Sequence, residues 1–258
     1  MINIAAPVID SEERRAVNEV IESGMLAQGP KVAELEKNWA EYCGVKHALA
    51  VNSGTAAIHC ALYAAGVKEG DEVITTPYSF IATINPILML GAHPVLVDID
   101  EETFNIDVSK IEVAITEKTK AIIPVDLYGQ PCDWTELQEI AKKHNLKIVE
   151  DACQAIGAEY KGVKTGSLGD FGCFSLYATK NIMCGEGGIV TTNSDEAAAA
   201  IRSFRQHGMV APYEYADLGY NYRMSDLHGA IAVEQLKKVE EFTKKRQENA
   251  RKLNDALA

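Results

Sequence analysis

Short apolar runs alternate with helical patterns along most of the chain. Each run is too apolar to have a face in water, which predicts a mainly parallel sheet covered by helices on both faces. Two further runs nearer the end of the sequence extend the same sheet. The predicted strands are His47–Val51, Glu72–Thr75, Pro94–Val97, Ala121–Val125, Lys147–Val149, Phe171–Leu176 and Gly188–Thr192. The fold class is therefore α/β, with three layers.

Helical patterns flank this region on both sides. Ser11, followed by two glutamates, predicts a helix start, because a hydroxyl caps free amides and carboxylates suit the positive end of a helix. A second helix is predicted from Lys31 to Tyr42, with Gly44 as its left-handed cap. From Ser225 onward one amphipathic pattern predicts an uncapped helix of about thirty residues, typical of a connector or of a packing surface for a partner.

The segment from Val73 to Val97 contains no charged residue and has to be weighed against a membrane span. Prolines 77, 86 and 94 interrupt it, which favours strand, turn, buried helix and strand. The N-terminus has no basic run followed by an apolar stretch, so no secretory signal is predicted.

Composition and charge narrow the possible partners. The chain has 258 residues, 47% of them hydrophobic, and a net charge of −12 from 25 basic and 37 acidic residues. This charge disfavours nucleic acid or an anionic membrane as a partner but allows a small anionic ligand. The six cysteines are spread singly, which favours free thiols in a reducing, cytoplasmic location over a metal site or disulfides.

Ligands bind beyond the carboxyl ends of the strands in an open parallel sheet. After the first predicted strand, Ser53, Gly54 and Thr55 lead into a helix, where free amides could seat a phosphate; a plain N-cap is the alternative. The chain contains neither GxGxxG nor GxxxxGK[ST], which disfavours a dinucleotide site or a P-loop. Phe80 follows the second strand and could stack on a flat heterocycle or belong to the core.

Two further strand ends carry ionisable groups. Asp151, with Gln154 close behind, follows a buried strand, and its carboxylate needs a cation there, either from a ligand or from a structural Arg or Lys. Lys180 stands between an apolar strand and the glycine-rich turn 185–188. An amine that is kept from water can form a Schiff base with an aldehyde cofactor. An ion-pair role for Lys180 is the alternative.

The ordered set of motifs resembles the DegT/DnrJ/StrS family of aminotransferases. These are fold-type I enzymes that depend on pyridoxal phosphate and act mostly on nucleotide-linked keto-sugars. The stretches that carry the resemblance are Gln28-Gly29-Pro30, Ser53-Gly54-Thr55, Thr76-Pro77 with Phe80, Asp151 with Gln154, Gly166-Ser167 with Gly169-Asp170, Ser175 to Lys180 with Gly185 to Gly188, and Gly219 to Met224. The resemblance implies the large domain of a fold-type I pyridoxal phosphate enzyme.

The same resemblance implies roles for single residues. Lys180 would bind the cofactor covalently, and Asp151 would pair with its protonated pyridine nitrogen. The other implied contacts are stacking of Phe80 on the ring, a hydrogen bond from Gln154 to the phenolic oxygen, phosphate contacts from Gly54, Thr55 and Ser175, and a contact from Asn221 to the phosphate of a neighbouring subunit's cofactor. A homodimer with shared active sites follows from the last of these.

The reaction implied by the resemblance moves an amino group from an amino acid, L-glutamate in most of the family, to a UDP-, dTDP- or GDP-linked 4-keto-6-deoxyhexose. Amino-sugar and cell-surface polysaccharide biosynthesis is the corresponding process. Family members that dehydrate sugars carry His where this chain has Lys180, so the lysine favours transamination. No metal is expected.

The domain organisation departs from the family pattern, in which a smaller C-terminal domain follows the long helix. We predict a cofactor-binding large domain over residues 1–225, including an N-terminal helical segment 1–44, and a connecting helix over residues 226–258, with the small domain absent or incomplete. Two other hypotheses compete with an active aminotransferase: a truncated, catalytically weak or regulatory cofactor-binding member, and an unrelated doubly wound nucleotide-binding protein.

Overall fold

The computed structural model describes residues 6–257, so the first five residues and Ala258 of the predicted domains lie outside it. The strands are β1 His47–Val51, β2 Glu72–Thr75, β3 His93–Leu96, β4 Thr119–Ile122, β5 Lys147–Asp151, β6 Glu159–Tyr160, β7 Val163–Lys164, β8 Phe171–Ser175, β9 Gly188–Thr192, β10 Met209–Ala211 and β11 Glu214–Tyr215. The helices are α1 Ser11–Ser23, α2 Pro30–Cys43, α3 Gly54–Ala64, α4 Asn85–Met89, α5 Trp134–His144, α6 Asp195–Phe204, α7 Asp226–Leu236 and α8 Val239–Leu257.

A seven-stranded sheet with the order β1-β9-β8-β5-β4-β2-β3 forms the centre of the molecule. Strand β9 runs antiparallel to both of its neighbours, and the remaining pairs are parallel. The predicted mainly parallel α/β sheet is confirmed. Strands β6 and β7 pair outside this sheet, as do β10 and β11.

Both faces of the sheet are buried except at the edge strand β3, where His93 and Leu96 are exposed, contrary to the prediction for that run. On β1, Leu49 and Val51 pack into one core together with α3 and α6. Their neighbours Ala48 and Ala50 pack into a second core on the opposite face, with α2 and α7. A third core surrounds Trp134 of α5 and lies against β2, β4 and β5. This alternation follows from the two-residue period of a strand.

The first helix is capped differently from the prediction. Asp10, rather than Ser11, caps α1: its side chain accepts from the amide of Glu12, and the amide of Asp10 donates to Oε2 of Glu13. Asp10 is the cap because this reciprocal capping box gives an acceptor both to an amide of the first helical turn and to the amide of the capping residue itself. Gly44 ends α2 with a φ of 69°, as predicted.

The single long helix predicted after Ser225 is divided into α7 and α8. The amide of Lys238 donates to the carbonyl of Gln235, a tighter turn that ends α7. The ammonium of Lys238 is then held by Asp10 at 2.5 Å and by Glu13 at 2.6 Å, which ties this turn to α1.

The uncharged segment after β2 forms strand, turn, short helix and strand, as predicted. Its helix α4 is only half buried, since Leu88 and Met89 are exposed. Among residues 6–257, no helix has the length and apolar character that a membrane crossing needs. All six cysteines are free thiols, and all but Cys153 are buried.

Candidate active site

A cavity of about 420 Å³ opens at the carboxyl ends of the central strands. The predicted site residues that line it are Gly54, Thr55, Phe80, Asp151, Gln154, Ser175 and Lys180. They come from four different strand ends, and the parallel sheet brings these ends to one edge. Asn221 is the one predicted site residue that does not line this cavity.

The amino end of α3 forms one wall of the cavity. Ser53 caps the helix, because its hydroxyl accepts from the amide of Ala56 at 3.1 Å. Within the described part of the chain, the amides of Gly54 and Thr55 have no acceptor. Ser53 is thus an N-cap that still leaves two amides for an anion, at the positive end of a helix. The two alternatives for this motif are therefore compatible.

Gly54 is required by the close approach of α3 to β8. A Cβ at this position would lie 2.8 Å from the Cβ of Ser175 and 3.1 Å from the sulfur of Cys153. Only a residue without a side chain lets the free amides reach the same space as the Ser175 hydroxyl. This close packing explains why the start of α3 and the end of β8 can contact the same group of a ligand.

Asp151 is buried at the end of β5, where it is 4% exposed. The hydroxyl of Thr83 donates to Oδ2 at 2.7 Å, and the amide of Cys153 donates to Oδ1 at 3.2 Å. Among residues 6–257, no cationic side chain pairs with this carboxylate. The alternative of a structural Arg or Lys partner therefore finds no support, and the carboxylate can receive a cation from a ligand.

Gln154 is oriented by a turn that sequence reasoning missed. The backbone amide of Tyr128 donates to Oε1 of Gln154 at 3.1 Å. Because the side-chain carbonyl is occupied in this way, the NH2 group of Gln154 is left to donate elsewhere. Tyr128 has a φ of 54°, a left-handed conformation that is uncommon for a non-glycine residue and concentrates at functional sites. Its position after β4 was the available signal.

Lys180 is half-buried in the connection between β8 and β9. Its amide donates to the carbonyl of Tyr177 at 2.9 Å, which fixes the backbone at this point. None of the ion pairs in the described chain includes its ammonium, so the alternative role as an ion-pair partner finds no support. Nearby, burial and the charge of Asp151 raise the pKa of the Cys153 thiol well above its usual range, so this thiol is neutral.

Phe80 stands at the mouth of the cavity and is 71% exposed. It is not a core residue, so the core alternative is wrong. Thr83, which the sequence did not single out, lies on the following turn and connects this segment to Asp151. An aromatic face that no described side chain covers can receive a flat ring.

Asn221 lies outside the cavity and is exposed. Its carbonyl accepts from the side chain of Asn52 at 3.3 Å, beside the strand end that leads into α3. Its neighbours Tyr220 and Tyr222 stack on each other and pack around the buried His59. The predicted reach of Asn221 to another subunit stays a prediction.

Comparison with known proteins agrees with this geometry. Residues 7–258 match the model of the DegT/DnrJ/EryC1/StrS aminotransferase family. The chain belongs to that family. The resemblance predicted from the ordered motifs is thereby confirmed, and so is the fold-type I architecture.

Three relatives show how far the family likeness extends. GDP-perosamine synthase from Caulobacter vibrioides is 48% identical over 243 residues, which are 93% of this chain and 66% of that protein. The X-ray structure of the aminotransferase from Psychrobacter cryohalolentis has a TM-score of 0.92 at 36% identity and covers 98% of this chain and 68% of its own. PseC from Helicobacter pylori, an aminotransferase of pseudoaminic acid biosynthesis, has a TM-score of 0.90 at 37% identity, with 95% and 68% covered. The chain thus spans about two thirds of the length of these relatives.

The cavity of this family member fits pyridoxal phosphate, the cofactor that the family implies. Two acceptor-free amides and the Ser175 hydroxyl suit a phosphate, and an amine without a counter-ion suits an aldehyde. A buried carboxylate held only by neutral donors suits a protonated ring nitrogen. The groups that line the cavity therefore match the phosphate, the aldehyde and the ring of this cofactor.

Proposed function

We propose that this chain is the cofactor-binding part of an aminotransferase that acts on a nucleotide-linked keto-sugar. The observation that carries the proposal is that Lys180 and Asp151 line one cavity, next to the acceptor-free amides of α3. We propose that residues 1–225 form a cofactor-binding large domain and that residues 226–258 follow it as two helices, of which α7 packs on the large domain and α8 is the connector.

Pyridoxal phosphate, when bound, supplies an aldehyde carbon and an electron-accepting ring. Gly54, Thr55 and Ser175, which line the cavity, would bind its phosphate through two amides and a hydroxyl. Asp151 would hold a proton on the ring nitrogen through a charge-assisted contact. Thr83 and the amide of Cys153 keep the Asp151 carboxylate in place, since each of its oxygens accepts from one of them.

Two further residues would orient the ring. Gln154 would donate from its NH2 group to the phenolic oxygen, because its carbonyl already accepts from the amide of Tyr128. Phe80 lines the cavity and would cover one face of the ring. Lys180 would hold the cofactor at its aldehyde carbon, and its amine, once the amino donor has displaced it, would take a proton from the α-carbon of the donor and return it, as a general base and acid.

The substrate proposal draws on the relatives. GDP-perosamine synthase and an enzyme of pseudoaminic acid biosynthesis both carry sugar names. We therefore propose a UDP-, dTDP- or GDP-linked 4-keto-6-deoxyhexose as the amino acceptor and L-glutamate as the donor, in cytoplasmic amino-sugar biosynthesis for surface polysaccharides.

We further propose a homodimer in which Asn221 reaches the phosphate of the partner's cofactor. Large apolar side chains in the segment that follows the cavity residue Phe80 are exposed, including Ile81 at 54%, Leu88 at 55% and Met89 at 46%. Exposed apolar groups that lie close together are typical of a protein interface. The exposed position of Asn221 is also compatible with a contact outside its own subunit.

Cofactor titration followed by borohydride tests the central assignment. Wild-type protein should develop a visible absorption band with pyridoxal phosphate, and reduction should attach the cofactor to Lys180. Lys180→Ala should lose the reducible adduct, whereas Lys142→Ala, an exposed lysine on α5, should keep it. An adduct that survives in Lys180→Ala would overturn the assignment.

A glutamate half-reaction separates the enzyme from a regulatory relative. Conversion of the bound aldehyde to the amine needs Lys180 and a correctly held ring, but no sugar. Conversion by the wild type supports an aminotransferase. Clean cofactor binding without conversion supports the catalytically weak or regulatory alternative.

A further inference from the structure

Two carboxyl groups are completely buried beneath the candidate site. Asp126 and Glu150 are both 0% exposed, and their carboxyl groups lie within hydrogen-bonding reach of each other. No lysine, arginine or histidine of residues 6–257 forms an ion pair with either of them. The other titratable groups that face the pair are the buried thiols of Cys43, Cys132 and Cys173, whose pKa values are raised by burial, so they are neutral.

The hydrogen bonds of the pair leave one oxygen without a donor. Glu150 accepts from the amide of Gly166 at 2.6 Å and from the amide of Leu168 at 3.2 Å. Asp126 Oδ1 accepts from the amide of Cys132 and from the indole of Trp134, at 2.9 Å and 3.2 Å. Asp126 Oδ2 is buried and accepts from no described group. A buried oxygen in this state is costly unless a proton is supplied to it.

We propose that Asp126 and Glu150 share a single proton, and that the pair positions Asp151 and Gln154 in the cofactor site. Glu150 is the donor, because a protonated carboxyl oxygen can accept from an amide and still donate to Asp126 Oδ2. Burial together with the charge of Asp126 raises the pKa of Glu150 well above its usual range.

The pair is joined to both site residues by short connections. Glu150 directly precedes Asp151 on β5, and the amide of Asp126 donates to the carbonyl of Asp151 at 3.1 Å. The carboxylate of Asp126 also fixes the loop from residue 127 to residue 134, which contains Tyr128, whose amide orients Gln154. The positioning role rests on the proposed function, whereas the shared proton does not.

Infrared spectroscopy of the cofactor-free protein tests the shared proton. At neutral pH the wild type should show the carbonyl band of a protonated carboxylic acid. Asp126→Asn should lose this band, since an amide NH2 in place of Oδ2 donates to Glu150 and no acidic proton is needed. Asp133→Asn, an exposed neighbour, is the matched control and should keep it. A folded wild type without the band, or a band unchanged in Asp126→Asn, overturns the proposal.

The pH dependence of unfolding gives a second test. The unfolded chain ionises both carboxyls at neutral pH, so unfolding releases the shared proton. For this pair alone, stability falls as the pH rises above the ordinary pKa of Glu. The unfolding constant then increases about tenfold per pH unit. Asp126→Asn should lack that contribution and Asp133→Asn should retain it. Equal slopes in all three proteins contradict the shared proton.

Cofactor affinity tests the positioning role. The Glu150→Gln variant lacks an acceptor for one of the two loop amides, and the affinity of this variant for pyridoxal phosphate should fall about tenfold. Asp126→Asn keeps the hydrogen bonds of both loops and should lose less, while Glu139→Gln on the surface of α5 serves as the control. Equal affinity in Glu150→Gln and wild type overturns the positioning role. A wild type that shows the acid band but binds no pyridoxal phosphate refutes the proposed function alone.

Discussion

Residues of the candidate site are held in place by hydrogen bonds from neighbouring residues. Gln154 illustrates this, because a backbone amide selects which end of its side chain is free. Asp151 is held in the same way by one hydroxyl and one amide. The chemistry assigned to a site residue therefore depends on groups that do not themselves reach the ligand.

Gln154→Glu separates the two ends of that side chain. The carboxylate still accepts from the Tyr128 amide, but it has no NH2 group to donate to the cofactor. We expect pyridoxal phosphate to bind about 10-fold to 100-fold more weakly, as measured by absorbance titration. Gln130→Glu, an exposed change in the neighbouring loop, should bind like the wild type. Unchanged affinity in Gln154→Glu would remove the proposed contact.

His59 predicts an acid-sensitive component of stability. Burial lowers its pKa to about 4, from 6.5 for the free side chain. The unfolded chain therefore binds a proton between these values that the folded chain does not, and stability falls by about 2 to 3 kcal/mol as the pH drops from 6.5 to 4. Urea unfolding across this range should show the loss in the wild type.

The pH dependence of unfolding should differ between His59→Gln and His93→Gln. His93 is exposed, so its replacement should leave the acid-dependent loss intact. Replacement of His59 should reduce that loss, whatever it costs in packing against Phe204 and Tyr220 at neutral pH. An identical pH dependence in both variants would contradict the assignment.

At the scale of elements, the helix pair α2 and α7 is joined by a carboxylate. Asp226, at the start of α7, is 1% exposed and accepts from three amides at the start of α2. The donors are Gly29 at 2.8 Å, Val32 at 2.9 Å and Lys31 at 3.0 Å. One side chain thus serves as the cap of a helix nearly two hundred residues away, and its charge suits the positive end of that helix.

Asp226→Ala should therefore destabilise the fold by about 2 to 4 kcal/mol, because three buried amides lose their acceptor. Asp226→Asn should cost less, since it keeps an oxygen for Gly29 and Val32 but faces Lys31 with an NH2 group. Urea midpoints measure both. Asp255→Ala on the exposed part of α8 should stay within about 0.5 kcal/mol of the wild type. A similarly small effect of Asp226→Ala would show that water replaces the cap.

The elements also show where sequence reasoning succeeds and where it stops. The strands were predictable because most of them are short apolar runs, and the grouping of Gly54, Phe80, Asp151 and Lys180 around one cavity was predictable because parallel strand ends converge. The position of Tyr128 after β4 was an available signal. Its contact with Gln154, the contact of Thr83 with Asp151 and that of Asp126 with Glu150 were not predictable, because each depends on groups that only the folded chain brings together. The break at Lys238 was missed for the same reason, as its partners lie in α1.

At the scale of the whole molecule, the shared active site of the proposed homodimer predicts complementation. Lys180→Ala and Asn221→Ala should each have little glutamate half-reaction alone. A mixed dimer would contain one site with both residues intact and one with neither, so random mixing should restore about one quarter of the wild-type sites. Mixed dimers that form without any recovery would show that Asn221 does not act across the interface.

The reversed direction of β9 has a mechanical consequence for the lysine. Because β9 begins at the edge where β8 ends, the chain between them turns back without crossing the sheet. Residues 176–187 are accordingly tethered at both flanks by one continuous ladder. After a protease cut within this loop, β8 and β9 would still hold the two flanks of the cut. The nicked protein should therefore stay in one piece and keep the Lys180 amine close to the cavity.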